Sequence, residues 1–380
     1  MLSVRWDDVR RRRVERSSLL ARAAGERLVG VARDLCGVHA QVQASAELQL
    51  AVRVDEITRA DVRAALWERR SLVRAWTLRG TLHLHAADEL ALWHAARRAT
   101  VGPRELEAWR DPAGVLHPPV GLDEAESIRA AVWDALDERC LLRDELVEEV
   151  VGRVGPKPRE RLRSGFAFFL GELCQGPSQG AKVTFVRPDQ WIGGWQEVDE
   201  EVALAEACRR YLRTYGPARP VDFRQWIGGN AFGTQRARAV FDSLGDGDEL
   251  EEIDVEGHRA YVLAEDTAFH AAKQRLRLLP EYDVYVMGFR EREHLVPESV
   301  KDRVARHARG RYEGPAGVRF MVVDGVAAGL WERRKRGRRV ELAVTPARRL
   351  TKVQRAELDA ETERIGAFLG LEPVVSVVAS

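Results

Sequence analysis

Three stretches of the chain repeat one plan, several helices and then a short β-hairpin, and no other feature of the sequence constrains the fold as much. In the first, periodicity predicts helices over 17–24 and 26–36, stopped by Gly25 and Gly37, and further helices over 45–53 and 59–69. After them "SLVRAWTLRGTLHLH" alternates with period two. Leu72, Trp76, Leu78, Leu82 and Leu84 share one face, while Thr77, Arg79, Thr81, His83 and His85 share the other. Gly80 marks a bend between them. The second stretch begins at Leu122. It carries predicted helices through "DEAESIRAAVWDALD", "RDELVEEVVGRV" and "RERLRSGFAFFLGELCQ", then a β pair at "AKVTFVRP". The third begins near Glu200, with helices through "VALAEACRRYLRTYG", "RPVDFRQWIGG" and "TQRARAVFDSLG". Its hairpin, "ELEEIDVEGHRAYVL", turns at Glu256-Gly257.

Helix, helix, helix, hairpin is the winged-helix plan, and three copies at intervals of about 80 residues exceed chance. In each copy the last helix before the hairpin is the candidate nucleic-acid reader. The C-terminal region differs. "GVRFMVVDGVAAGLWERRKRGRRVELAVT" predicts three antiparallel strands, with turns at Asp324-Gly325 and near Gly337. A closing helix over 352–369 follows, with Leu358, Ile365, Phe368 and Leu369 on one stripe. The expected fold class is mainly α with small β-hairpins (α+β). The expected division is three tandem winged-helix units, 1–120, 121–197 and 198–272, and a C-terminal β-rich region, 273–380.

At 380 residues and 42.8 kDa the chain exceeds one ordinary core. Its net charge of +1 gives no overall pull toward nucleic acid. Yet only six of the 60 basic residues are Lys, and the Arg that make up the rest donate in pairs to phosphates and base edges. A GC-rich genome explains the same bias. The four cysteines, at 36, 140, 174 and 208, form no CxxC pair. That supports neither a zinc ribbon nor a disulfide framework and fits a reducing cytoplasm. No apolar segment follows the arginines at 10–13, and no apolar run approaches about 18 residues, so neither a signal peptide nor a membrane span is expected. The expectation is a cytoplasmic monomer, with no metal and no cofactor.

The densest charge is "RRKRGRR": Arg333, Arg334, Lys335, Arg336, Arg338 and Arg339, at a predicted hairpin tip. Like charges this close repel, so the cluster is either a solvated strand end or a basic finger for phosphates or a groove. The four arginines at 10–13 read as a solvated helix face. His83 and His85 could supply two metal ligands, but no further cluster at fitting spacing completes a site.

The stretch "CGVHAQVQASAELQLAVRV", 36–54, puts two amides one residue apart. On a helix, Gln41 and Gln43 would point about 200° apart; in extended chain they share a face. Gly37 can stop one helix and Ser45 start the next. An extended link over 38–44 would then turn both amides into one cleft and Val42 into the core. Equally, the two amides can cap the helix ends on either side.

"VHAQVQAS", "AWTLRGTLHLH" followed by "ADELALW", "YLRTYGPARPVDFRQWIGG", "LLPEYDVYVMGFRERE" and "VVDGVAAGLWERRKR", in this order, span nearly the whole chain. Together they resemble the tandem winged-helix family of bacterial DNA glycosylases typified by AlkZ and YcaQ, on the branch with Gln-Φ-Gln (Φ, apolar). The resemblance implies a C-shaped fold and excision of N-alkylated purines, including unhooking of interstrand crosslinks in double-stranded DNA. It implies that Gln41 and Gln43 are the catalytic pair and that a basic hairpin, placed here at 331–340, meets the DNA minor groove. His39, Arg79, Thr81 and His83 are expected to line the DNA cleft. A non-enzymatic winged-helix DNA binder or regulator is the alternative reading.

Overall fold

A computed structural model describes residues 2–102, 107–111, 113–164, 173–270, 275–288, 292–307 and 317–378. The chain forms two compact units: residues 1–64 with 205–380, and residues 65–204. The architecture is mixed, 48% helical and 24% strand, which bears out a mainly helical α+β protein.

In the first unit a five-stranded sheet runs in chain order: Leu276–Leu279, Phe320–Val323, Val326–Arg336, Arg339–Pro346 and Glu372–Val377. The first four strands pair antiparallel and the last pair is parallel. The turn at Asp324-Gly325 has positive φ at both residues, 56° and 74°, as a tight hairpin turn requires. Gly325 is needed twice over. A Cβ there would meet the Tyr285 hydroxyl at 2.5 Å, and that hydroxyl donates to the Gly325 carbonyl at 2.9 Å. The first and last strands of this sheet went unseen in the sequence.

The closing helix, Lys352–Leu369, buries Leu358, Ile365 and Phe368, as its stripe predicts. It also buries Glu361, which takes Arg22 and Arg277 as partners. Burial presses the Arg277 guanidinium down to about 10, against the pull of Glu361.

Helices Glu200–Tyr215, Pro220–Ile227 and Thr234–Asp246 close on an aromatic core of Tyr211, Tyr215, Phe223, Trp226 and Phe241. Burying each such ring is worth about 1.5–3 kcal/mol. The following hairpin, Leu250–Val255 with His258–Leu263, turns at Glu256-Gly257 as predicted. An unexpected strand, Leu2–Val4, adds to it in parallel.

The N-terminal reading needs correcting. Residues 17–24 are turns, and the helix lies earlier, at Trp6–Arg16. Its arginines do not form a solvated face. Arg12 is buried, 2.8 Å from Asp266 and 2.7 Å from the Ala268 carbonyl. Arg13 donates to the carbonyls of Tyr215 and Pro217. These guanidiniums satisfy backbone oxygens of two loops and so tie the helix down.

In the second unit the strands Leu72–Trp76 and Leu82–Ala86 form the expected hairpin. Leu72–Trp76 also pairs with Cys174–Gln179, which pairs with Lys182–Val186, and Leu141–Leu142 follows. The hairpins of the first two repeats therefore share one sheet. Of the helix expected over 159–175, Arg159–Arg163 is helical, 174 and 175 are strand, and 165–172 lie outside the described residues. Among the described residues no helix is long and apolar enough to cross a membrane.

Candidate active site

The glutamine pair sits where a strand ends and a helix begins. Val38–His39 is extended, Ala40 is fully buried, and the helix Gln43–Arg53 starts directly after a bend at Gln41 and Val42. Gln41 is exposed and Gln43 half-buried, so both residues reach the surface. Val42 does not turn into the core. It is 39% exposed, because Ala40 takes the buried place and Val42 becomes the N-cap residue. Val42 offers no side-chain cap, and the Gln43 amide reaches forward along the helix instead, Nε2 donating to Glu47 Oε1 at 3.1 Å.

The remaining polar residues of this helix explain why the bend holds its shape. Gln49 is fully buried and both ends of its amide are used. Nε2 donates to the His39 carbonyl at 3.0 Å, and Oε1 accepts from the Val284 N–H at 3.1 Å. Arg53, one turn on, meets Asp283 with two bonds of 2.8 and 2.6 Å, both side chains wholly buried. Asp283 in turn caps the short helix Val284–Met287 through the Tyr285 N–H. Ser45 donates to the Glu281 carbonyl. The link bearing Gln41 and Gln43 is thus clamped from below onto residues 281–284.

Glu47 carries the charge of the site. Its side chain is 1% exposed, with Arg63 Nε at 3.1 Å from Oε1 and Arg59 Nε at 2.8 Å from Oε2. The Arg59 contact is close but poorly aligned for a hydrogen bond. Arg333, at the root of the basic hairpin, is half-buried beside this group. Burial lowers its pKa, while Glu281 and Glu47 pull the other way. Glu281 is itself held by Arg319 at 2.5 and 2.9 Å. Burial alone would raise the Glu281 carboxyl, but the guanidinium wins and holds it below its usual value. Gln43 and Glu47 are thus hydrogen-bonded to each other, and Glu47 contributes to the field at Arg333.

The hairpin tip is as expected, with Arg336 opposite Arg339 and a tight turn at Gly337, φ 59°. Arg334, Lys335, Arg336, Arg338 and Arg339 are exposed. Arg336 and Arg339 each touch a carboxylate, Glu341 and Glu372, so the cluster is partly compensated.

The other expected cleft residues fare unevenly. His39 is buried, its ring stacked 5.3 Å from Tyr282. His83 and His85 are 1% exposed. His83 Nδ1 pairs with the Thr81 carbonyl at 3.0 Å, and His85 Nε2 with Thr77 Oγ1 at 2.8 Å. Both faces of this hairpin are covered, so its polar face does not line an open groove. Arg79 and Thr81 are half-buried at the hairpin turn, Arg79 in left-handed backbone at φ 54°. Glu47, Gln49, Arg53 and Asp283 were missed in the sequence. The available signal was two pairs of polar residues four apart, Gln43/Glu47 and Gln49/Arg53, on a helix that is apolar apart from these and Ser45.

A family model described as "DNA glycosylase AlkZ-like" matches residues 32–368. The "Interstrand DNA cross-link repair glycosylase" of Streptomyces sahachiroi is 34% identical over 324 residues, covering 82% of each chain. The structure of Streptomyces sahachiroi DNA glycosylase AlkZ superposes with a TM-score of 0.79 at 30% identity, over 99% of this chain and 100% of that one. The chain is accordingly a DNA glycosylase and not a non-enzymatic DNA binder, and the glutamine pair on its braced helix start is the candidate centre. The chain belongs to the AlkZ-like DNA glycosylase family.

Proposed function

We propose that this enzyme hydrolyses the N-glycosidic bond of cationic N-alkylated purines, N7-alkylguanine and N3-alkyladenine, and unhooks interstrand crosslinks built on them. Gln41 and Gln43 orient the attacking water. The observation that carries this reading is the surface-reaching pair at the start of a helix braced onto His39 and Asp283. The cross-link repair named for the Streptomyces relative supports the substrate class.

The chemistry matches the residues. An alkylated purine already bears positive charge, so the base leaves as a neutral species when its bond to C1′ breaks. No protonation of the base is needed. What remains is to hold water at C1′ while an oxocarbenium-like transition state forms, the demand that glycosidases meet with carboxylates. Amides accept and donate hydrogen bonds but are weak bases. Such a site acts only on bonds the lesion has already weakened, and selectivity follows from the lesion's charge. A large crosslink enters an open cleft without full base flipping.

The three winged-helix units belong to this proposal, supported by the helix–helix–helix–hairpin order over 200–263. The hairpin tip grips DNA phosphates, and Arg79 and Thr81 contact DNA as well. Arg334→Ala, Lys335→Ala and Arg338→Ala should each weaken duplex binding about evenly across sequences. Each substitution frees one phosphate, which should make the slope of log K against log salt shallower by about 1. Unchanged slopes in all three would remove the hairpin from the interface.

The direct test is excision from duplex oligonucleotides bearing 7-methylguanine, compared with a nitrogen-mustard crosslink. Base release without a borohydride-trapped protein–DNA adduct is expected, because water is the nucleophile. Intact substrate after incubation, or a covalent adduct, would overturn the reading.

A further inference from the structure

Glu47 is an unusual residue for its place. It sits on the first turns of a short helix, one turn after a half-buried glutamine, yet its side chain is almost completely removed from solvent. A buried carboxylate is costly unless paired and hydrogen-bonded. Here it is paired twice, by Arg59 and Arg63 on the next helix, and it senses Arg333 at the hairpin root. It also accepts the Gln43 amide at 3.1 Å.

That hydrogen bond fixes more than position. A carboxylate offers only acceptors, whereas an amide has a donor edge and an acceptor edge. The NH2 edge of Gln43 must therefore face Glu47, and its carbonyl Oε1 lies on the opposite edge. A half-exposed glutamine without such a partner could flip its amide and present either edge to the site.

We propose that Glu47 is a positioning residue that locks the Gln43 amide with its NH2 group inward, so that Oε1 is always the atom offered to the attacking water. The proposal rests on the reading that Gln43 orients that water. With Oε1 accepting one water proton, an oxygen lone pair is left for C1′. The negative charge behind the amide also polarises it, making Oε1 a stronger acceptor through a chain of hydrogen bonds. Arg59 and Arg63 keep that charge from standing uncompensated. Glu47 itself is too deeply placed to touch DNA.

The test is single-turnover release of 7-methylguanine from duplex DNA. Glu47→Gln keeps the shape but can face Gln43 with either edge, so the lock is lost. It should lower the excision rate about tenfold or more, with duplex affinity unchanged. In a Gln43→Ala background the same substitution should have no further effect. A purely structural role predicts the same loss in both backgrounds, and that result, or no loss at all, overturns the proposal. Glu47→Asp keeps the charge and draws the carboxylate back by one methylene, so it should behave likewise, and it serves if Glu47→Gln does not fold. A second readout needs no residual activity: the Gln43 side-chain NH2 protons, followed by NMR with glutamine-selective labelling. They should exchange faster with water in both Glu47 variants, and unchanged exchange overturns the proposal. Full activity of Gln43→Ala itself would instead sink the underlying assignment, an outcome distinct from the others.

Discussion

Alanine at Gln41 or at Gln43 should slow release of 7-methylguanine by about 10²-fold or more while leaving the protein folded and bound to DNA. The argument for so large a loss is that the enzyme has little else to contribute at the reacting carbon. In the proposed mechanism the lesion supplies the leaving-group charge and the basic hairpin the affinity, so orienting water is the step left to the amides. An interaction made only in the transition state, once removed, lowers kcat without raising KM. The argument for an intact fold is local. Gln41 is exposed, and a substitution at such a position typically changes stability by within about 0.5 kcal/mol. Gln43 gives up one hydrogen bond to Glu47, worth about 1 kcal/mol. The bend itself is braced by Gln49, Ser45 and Arg53. Circular dichroism, duplex affinity and excision rate, measured together, check this. Wild-type excision by both variants would refute the assignment, and loss of duplex binding alongside activity would move the pair from catalysis to recognition.

The fold was legible where local chemistry decides it. Asp324-Gly325 and Glu256-Gly257 carry residues that tolerate positive φ between alternating strands, and both became hairpin turns. The stripe on 352–369 became a helix buried along that stripe. What stayed hidden depends on distant partners. Strand Leu2–Val4 exists because Leu250–Val255, far along the chain, offers it an edge, with Leu2 opposite Ile253. No local pattern encodes that. The arginines at 10–13 read as solvated because charge usually is, but the carbonyls that bury Arg12 and Arg13 lie at 215–217 and 266–268. The alternating polar face over 77–85 suggested a groove. It proved to be covered, with His85 stacked 5.0 Å from Trp93 and bonded to Thr77. The glutamine pair was visible as an oddity of spacing. Its bracing was not, since Asp283 and Glu281 come from a segment remote in sequence.

That bracing sets the second large effect. Arg53→Ala and Asp283→Ala should each destabilise the first unit by about 3–5 kcal/mol, because each leaves its partner charged, buried and unpaired. Asp283→Ala also removes the cap on the Tyr285 N–H, which places it at the upper end of that range. Replacing both with apolar residues of similar volume, Arg53→Met with Asp283→Leu, should cost less than either single change, since no orphan charge remains. Two compact units need not unfold together, so the informative signal is the earliest transition in urea, followed by near-UV dichroism. Activity supplies an independent check well below that transition. The ion pair fastens the far end of the helix that begins at Gln43, and Gln49 hangs between the same two segments. If the pair matters only to stability, the double variant should excise 7-methylguanine at the wild-type rate once folded. If the bidentate geometry also sets where the glutamines stand, the double variant should be as stable as expected yet slow, as a displacement of about 1 Å at the reacting centre can cost about 10²-fold. The charge-pair account fails if the double substitution is no better tolerated than the two single ones.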